Sequence, residues 1–135
     1  MIIKEVFYKD IWHIRRVVMY PERDLEYIKL PEDEEGIHLG LYLENELVSV
    51  ISLFINGYEL QFRKFATLVE KQGHGYGTKL LEKVLEYAKE RKIKRVWCNS
   101  RVEKIDFYKK FGFSETKEKY IKDEREFVII EKILV

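Results

Sequence analysis

The chain has 135 residues, 46% hydrophobic and 36% charged, with a formal net charge of +1. That composition describes one domain (1–135) with a real core and a charged surface, and excludes a disordered chain. The balanced charge gives no reason to expect nucleic acid or an anionic membrane as partner. The single cysteine, Cys98, excludes an internal disulfide framework.

Residues 2–8 read as a strand. Asp10 is placed to cap a helix over 11–19, with Ile11, Ile14, Val17 and Val18 as its apolar face. Pro21 and Pro31 flank an irregular segment with a short helix around 24–29, and the acidic run 32–35 reads as a solvated loop closed by Gly36. A strand over 37–43 leads through Glu44-Asn45 into a more apolar strand over 47–55. Asn56-Gly57 is a strong hairpin signal, so 58–69 pairs back. Then comes a turn with glycine at alternate positions, Gln72-Gly73-His74-Gly75-Tyr76-Gly77-Thr78, and a helix over 79–92. Its face of Leu80, Leu81, Val84, Leu85 and Ala88 covers a sheet. Residues 93–98 form a buried strand. A helix over 102–111 stops at Gly112, which takes the C′ position. A hairpin of 113–122 and 126–134 turns at Asp123-Glu124. The last strand either ends the sheet or pairs across a homodimer. The order predicts an α/β fold, a mixed sheet with helices on its faces. No apolar run is long enough to span a bilayer, and the first six residues lack a signal peptide's apolar core. A cytoplasmic protein with no membrane partner is expected.

A strand, a glycine turn and a helix start together aim backbone N–H groups at a phosphate. One glycine would be ordinary in a tight connection, whereas Gly73, Gly75 and Gly77 together favour a pyrophosphate site. Gly77-Thr78-Lys79 departs from the P-loop order. The dinucleotide pattern G-x-G-x-x-G would need a small residue at Thr78, and it opens a domain where this turn lies mid-chain.

Residues 72–77 also fit [QR]-x-x-G-x-[GA], the acyl-CoA pyrophosphate loop of the GNAT superfamily of N-acetyltransferases. Downstream, Asn99-Ser100-Arg101 and Phe107-Tyr108-Lys109-Lys110-Phe111-Gly112-Phe113 resemble that superfamily's N-[AS]-R … F-Y-x-x-x-G-F ending. The resemblance covers most of the chain. It implies a GNAT-like mixed, mostly antiparallel sheet flanked by helices on both faces, acetyl-CoA as co-substrate, no metal, and a small-molecule or peptide amine as acceptor. By the same resemblance the cofactor is held by Thr67, Leu68 and Val69 at a strand end, by Gln72, Gly73, His74, Gly75, Tyr76, Gly77 and Thr78 in the loop, and by Asn99. Tyr108 falls beside the CoA sulfur as general acid.

The base is left open. Some members carry a glutamate where this chain has Gln61. Glu59 shares that strand face two residues earlier, and His38 lies on a neighbouring strand, where a structural role is the commoner fate. A non-catalytic CoA-binding sensor is the rival reading, and Tyr108 is the residue such a module need not keep.

Overall fold

All 135 residues are described in a computed structural model. The chain runs β1 (Ile2–Glu5), α1 (Trp12–Met19), α2 (Leu25–Ile28), β2 (Ile37–Leu43), β3 (Glu46–Asn56), β4 (Glu59–Thr67), α3 (Tyr76–Glu90), β5 (Arg95–Arg101), α4 (Ile105–Lys109), β6 (Ser114–Lys122) and β7 (Arg125–Ile133). Seven strands make one sheet in the order β1-β2-β3-β4-β5-β7-β6. Every neighbouring pair is antiparallel except β4 and β5.

Local chemistry sets the turns. Glu44 and Asn45 take φ of +46° and +70°, and Asp123 and Glu124 take +51° and +62°. Paired positive φ values match the twist of two-residue hairpins. The third hairpin turns on Gly57 and Tyr58, since Asn56 already pairs with Glu59. It sits one residue later than Asn56-Gly57 predicts.

The core lies on both faces. Leu80, Leu81, Val84 and Ala88 of α3 pack on Leu53, Leu60, Phe62, Val96 and Cys98. On the other face Ile11 and Ile14 pack on Val50 and Ala66. Several boundaries differ from the sequence reading. β1 stops at Glu5, and Asp10 caps nothing: a 3-10 turn over Tyr8–Ile11 leads into α1, whose N-cap is Ile11. Val17 is 40% exposed and Arg15 is buried in its place. α3 starts at Tyr76, so Gly77 belongs to the helix. The helix expected over 102–111 divides into a 3-10 turn, Val102–Lys104, and α4, and the chain leaves through Gly112 at φ +92°. β7 is paired on both sides, by β5 and β6, so it is no free edge for a dimer; β6 is.

The feature that matters for function is the short β4–β5 ladder. These two strands pair only at Glu59–Arg95, Leu60–Val96 and Gln61–Trp97. Past that point β4 runs on to Thr67 and β5 to Arg101 without pairing each other. The sheet is therefore split at its centre.

Candidate active site

β4 carries a bulge beside the split. Arg63 pairs with Ser52 and Ala66 with Val50, so Lys64 and Phe65 together oppose Ile51. Lys64 sits at φ +53°, the left-handed region that a lysine seldom adopts. The bulge sends Phe65 into the α3-side core and Lys64 to the α1 side, where its Nζ lies 5.1 Å from the centre of the Tyr20 ring.

β4 ends in a tied corner. The Thr67 hydroxyl is 2.8 Å from Ser49 Oγ, the Leu68 N–H donates to Val48 O at 2.9 Å, and Gln72 Nε2 donates back to Thr67 O at 2.9 Å. Gln72 thus braces the loop against the strand end, a role its side chain performs and its position in the motif does not reveal. Beyond it, Gly73 and Gly75 take φ of +80° and +83°. A Cβ built on either would meet nothing within 4 Å, so both face open space. The N–H groups of Gly73, His74, Gly75, Tyr76, Gly77 and Thr78 donate to no carbonyl; the first bond of the helix is Lys79 N–H to Gly75 O at 3.1 Å. A run of free donors at a helix start, with glycine clearing the approach, has the geometry of an anion cradle. Gly77 has a different task. Its Cβ would come 3.3 Å from Phe65 Cζ, so glycine lets α3 close onto β4. His74 is exposed, with its ring centre 5.9 Å from that of Tyr76.

Tyr108 projects from α4 into an aromatic cluster, with ring centres 5.7 Å from Phe62, 5.1 Å from Phe107 and 5.9 Å from Phe113. Burial, and then the nearby Cys98, holds its phenol well above the usual tyrosine range. Burial likewise pushes the Cys98 thiol up, so this cysteine is an unreactive packing group. Asn99 is exposed on β5, and its Oδ1 accepts from the Tyr120 hydroxyl at 2.9 Å.

The two base candidates sit elsewhere. Glu59 lies on the paired side of the split, with Oε1 held 3.1 Å from Arg95 Nη1; Arg95 also grips Glu131 at 2.7 Å. It is eight residues from Thr67, roughly 26 Å along an extended strand. Glu59→Gln is expected to leave the acid limb of the pH–rate profile where it is, measured as kcat/KM from pH 5 to 10. His38 is buried and satisfied. Nε2–H donates to Asp33 O at 2.7 Å, and Nδ1 lies 2.8 Å from Ser52 Oγ. Burial holds its pKa below the usual value, which keeps the ring neutral and structural.

The network beneath His38 was not legible from the sequence. Arg15 Nη1 and Nη2 reach the two oxygens of Asp33 at 2.7 and 2.9 Å and also Ile28 O and Ser52 Oγ. Asp33 also accepts from Trp12 Nε1 and from the Leu30 N–H. Burial works to raise the Asp33 pKa, but the bonds from Arg15, Leu30 and Trp12 outweigh it and hold the carboxyl below its ordinary value. The acidic run is therefore no uniformly solvated loop. Asp33 is 2% exposed, and this ion pair pins α1 and the α2–β2 connection to β3.

No helix is long and apolar enough to cross a membrane. The profile of the Acetyltransferase (GNAT) family matches residues 5–113. The uncharacterized N-acetyltransferase YitI of Bacillus subtilis (strain 168) is 27% identical over 127 residues, covering 87% of this chain and 85% of that protein. A provisionally named N-acetyltransferase from Lactobacillus plantarum superposes with a TM-score of 0.85 at 23% identity, over 100% of both chains. An aminoglycoside 6'-N-acetyltransferase complexed with coenzyme A gives 0.78 at 14% identity, over 100% of this chain and 98% of that one. With the split sheet, the glycine cradle and a profile match over most of its length, this chain belongs to the GNAT family of acetyltransferases.

Proposed function

We propose that this enzyme is an N-acetyltransferase that moves an acetyl group from acetyl-CoA to an amine by direct attack in a ternary complex. The observation that carries the reading is the split between β4 and β5, which opens past Gln61–Trp97 and leads to the free N–H groups of 73–78. Those donors and the α3 dipole suit a pyrophosphate, with Gln72 holding the loop in place. The unpaired edge of β4 through Thr67, with Leu68 and Val69, suits an extended pantetheine arm added like a strand. Asn99, already bonded to Tyr120, lines the β5 side. Acetyl-CoA would supply the activated thioester. A free backbone N–H on the split edge of β4 would polarise its carbonyl, a contribution worth about a hundredfold or more in rate.

The overall exchange is balanced. The amine nitrogen bonds the acetyl carbon, the carbon–sulfur bond breaks, the sulfur gains a proton and the nitrogen loses one. Tyr108 is assigned the proton to sulfur. A thiol near 8.5 is a stronger acid than a phenol near 10, and burial raises this phenol further. A hand-off from Tyr108 alone therefore runs uphill, so it is completed as the attacking nitrogen releases its own proton. The same burial keeps Tyr108 protonated, and ready to donate, throughout the neutral range. Tyr108→Phe is expected to lower kcat by about 10²–10⁴, the usual span for a general acid, and to leave CoA affinity unchanged. Wild-type turnover in a free-thiol assay would remove the assignment. The free, buried Cys98 fits the cytoplasm as the working compartment.

The reading is tested by calorimetric titration with acetyl-CoA, using dephosphorylated pantetheine as control. Binding that depends on the pyrophosphate is expected. No binding at millimolar acetyl-CoA would overturn the assignment of cradle and enzyme together.

A further inference from the structure

The α1 side of the split holds a cation without a counter-ion. Lys64 is half-buried, and no carboxylate lies within 4.0 Å of its Nζ, although such pairs occur around it. The charged groups that act on it are Arg63, Arg15 and Lys122, all positive, and Asp33, the weakest of the four. Asp33 is already engaged by both Arg15 nitrogens, by Trp12 Nε1 and by the Leu30 N–H, and it makes no ion pair with Lys64. Arg63 has one loose partner, Glu32 at 3.7 Å, with that carboxylate 56% exposed. Lys122 ends β6, at the tip of the β6–β7 hairpin, and pairs across it with Arg125. The Lys64 ammonium also lies over the face of Tyr20. Alternation along the strands puts Gln61, Arg63, Trp97 and Asn99 on this same face, opposite the α3 core that takes Leu60, Phe62, Val96 and Cys98. Lys64 thus stands over the mouth of the split, between the α1–α2 corner and the hairpin.

We propose that Lys64 is the anchor for an anionic group on the acceptor, carboxylate or phosphate, so that this enzyme acetylates amines that also carry a negative charge. The inference rests on the reading of the protein as an acetyltransferase and names its substrate class. A half-buried ammonium among like charges is costly, and an anion arriving from the open side supplies what the fold withholds. The strained bulge is what delivers the side chain there: in a regular ladder the residue after Arg63 would point into the α3 core. Two of the four acidic residues of 32–35 are already engaged, Glu32 by Arg63 and Asp33 by Arg15. Burial and the surrounding cations lower the Lys64 pKa to about 8. The anchor is charged below that pH and fades above it.

The test compares matched acceptors at saturating acetyl-CoA, read by free-thiol release. The carboxylate arm is a set of amino acids, set against their amides and their decarboxylated amines; the phosphate arm is phosphoethanolamine against ethanolamine. One anionic arm is expected to exceed its neutral partners by tenfold or more in kcat/KM, and which arm wins identifies the anion. In Lys64→Met the preference should collapse through a higher acceptor KM, with kcat and acetyl-CoA affinity near wild type, and Lys64→Arg should restore part of it. The wild-type acceptor KM should rise above about pH 8. Lys64 is half-buried and has no carboxylate partner, so Lys64→Met is expected to melt close to wild type at pH 7. A second readout needs no turnover. In the CoA complex, millimolar N-acetylglycine or inorganic phosphate should protect Lys64 from an amine-acylating reagent, as mapped by mass spectrometry. Neutral amines that match or beat the anionic ones, a Lys64→Met defect confined to kcat, or acylation of Lys64 indifferent to both anions would overturn the proposal while leaving acetyl-CoA binding intact.

Discussion

Gly75→Glu is expected to abolish acetyl-CoA binding, taking calorimetric heats from a clear isotherm to none at millimolar ligand. Two effects add. Gly75 sits at φ +83° and is the N-cap of α3, so any L side chain strains the residue that opens the helix. Its Cβ position faces open space, so the new carboxylate projects into the region served by the free N–H groups of 73–78. A negative charge there competes with the pyrophosphate for the same donors and repels it. Gly75→Ala separates the two. It keeps the backbone strain without charge, and should retain measurable though weakened binding. Full affinity in Gly75→Glu would mean that the phosphates lie elsewhere. Equal loss in both variants would assign the effect to loop strain alone.

The loop was legible because its chemistry is local. Gly73, Gly75 and the helix start are contiguous in sequence, and their geometry is set by near neighbours; the brace from Gln72 and the fit of Gly77 against Phe65 came only with the fold. The hairpins at 44–45 and 123–124 were legible for the same reason. The split sheet is a different matter. It depends on where the β4–β5 ladder stops and on a bulge that no residue type announces; Lys64 is a poor choice for positive φ, and its sequence context is an ordinary alternating strand. Nothing in the residues of either strand announces where the pairing ends. Glu59 shows the cost of working from strand parity alone. It shares a face with Gln61 as expected, but two residues back from the last paired position, Arg95 captures it. Arg15 and Asp33 were missed because each looked like surface. An arginine in an amphipathic helix and an aspartate in an acidic run are usually solvated, and their pairing joins positions 18 residues apart. The one available signal was the spacing of α1: Ile11, Ile14, Arg15 and Val18 fall at i, i+3, i+4 and i+7, which puts Arg15 on the buried face.

Asp33→Ala is expected to destabilise the protein by about 3–5 kcal/mol, the usual consequence of breaking a buried ion pair from one side. Against a total of about 5–15 kcal/mol for a domain, that is a large share of the stability, and the midpoint of urea unfolding at pH 7 should fall accordingly. The loss is large because four donors lose their acceptor at once: both Arg15 terminal nitrogens, Trp12 Nε1 and the Leu30 N–H. Arg15 is fully buried and keeps only Ile28 O and Ser52 Oγ, with its Nε already without a partner. The pH dependence has a definite sign. The Asp33 pKa is lower in the fold than in the unfolded chain, so its contribution is present above about pH 4, the ordinary aspartate value, and is lost as pH falls through the folded value. The gap between wild type and variant should therefore narrow in acid. The double variant Arg15→Met, Asp33→Leu removes both charges and should recover much of the loss, since apolar groups of similar volume replace such pairs at little cost. Recovery would assign the damage to a stranded guanidinium. A double variant as unstable as the sum of its parts would show instead that the hydrogen bonds to Trp12 and Leu30 hold the α1–α2 corner in place. In that case the same variant should also raise the acceptor KM, because that corner carries Tyr20 over Lys64.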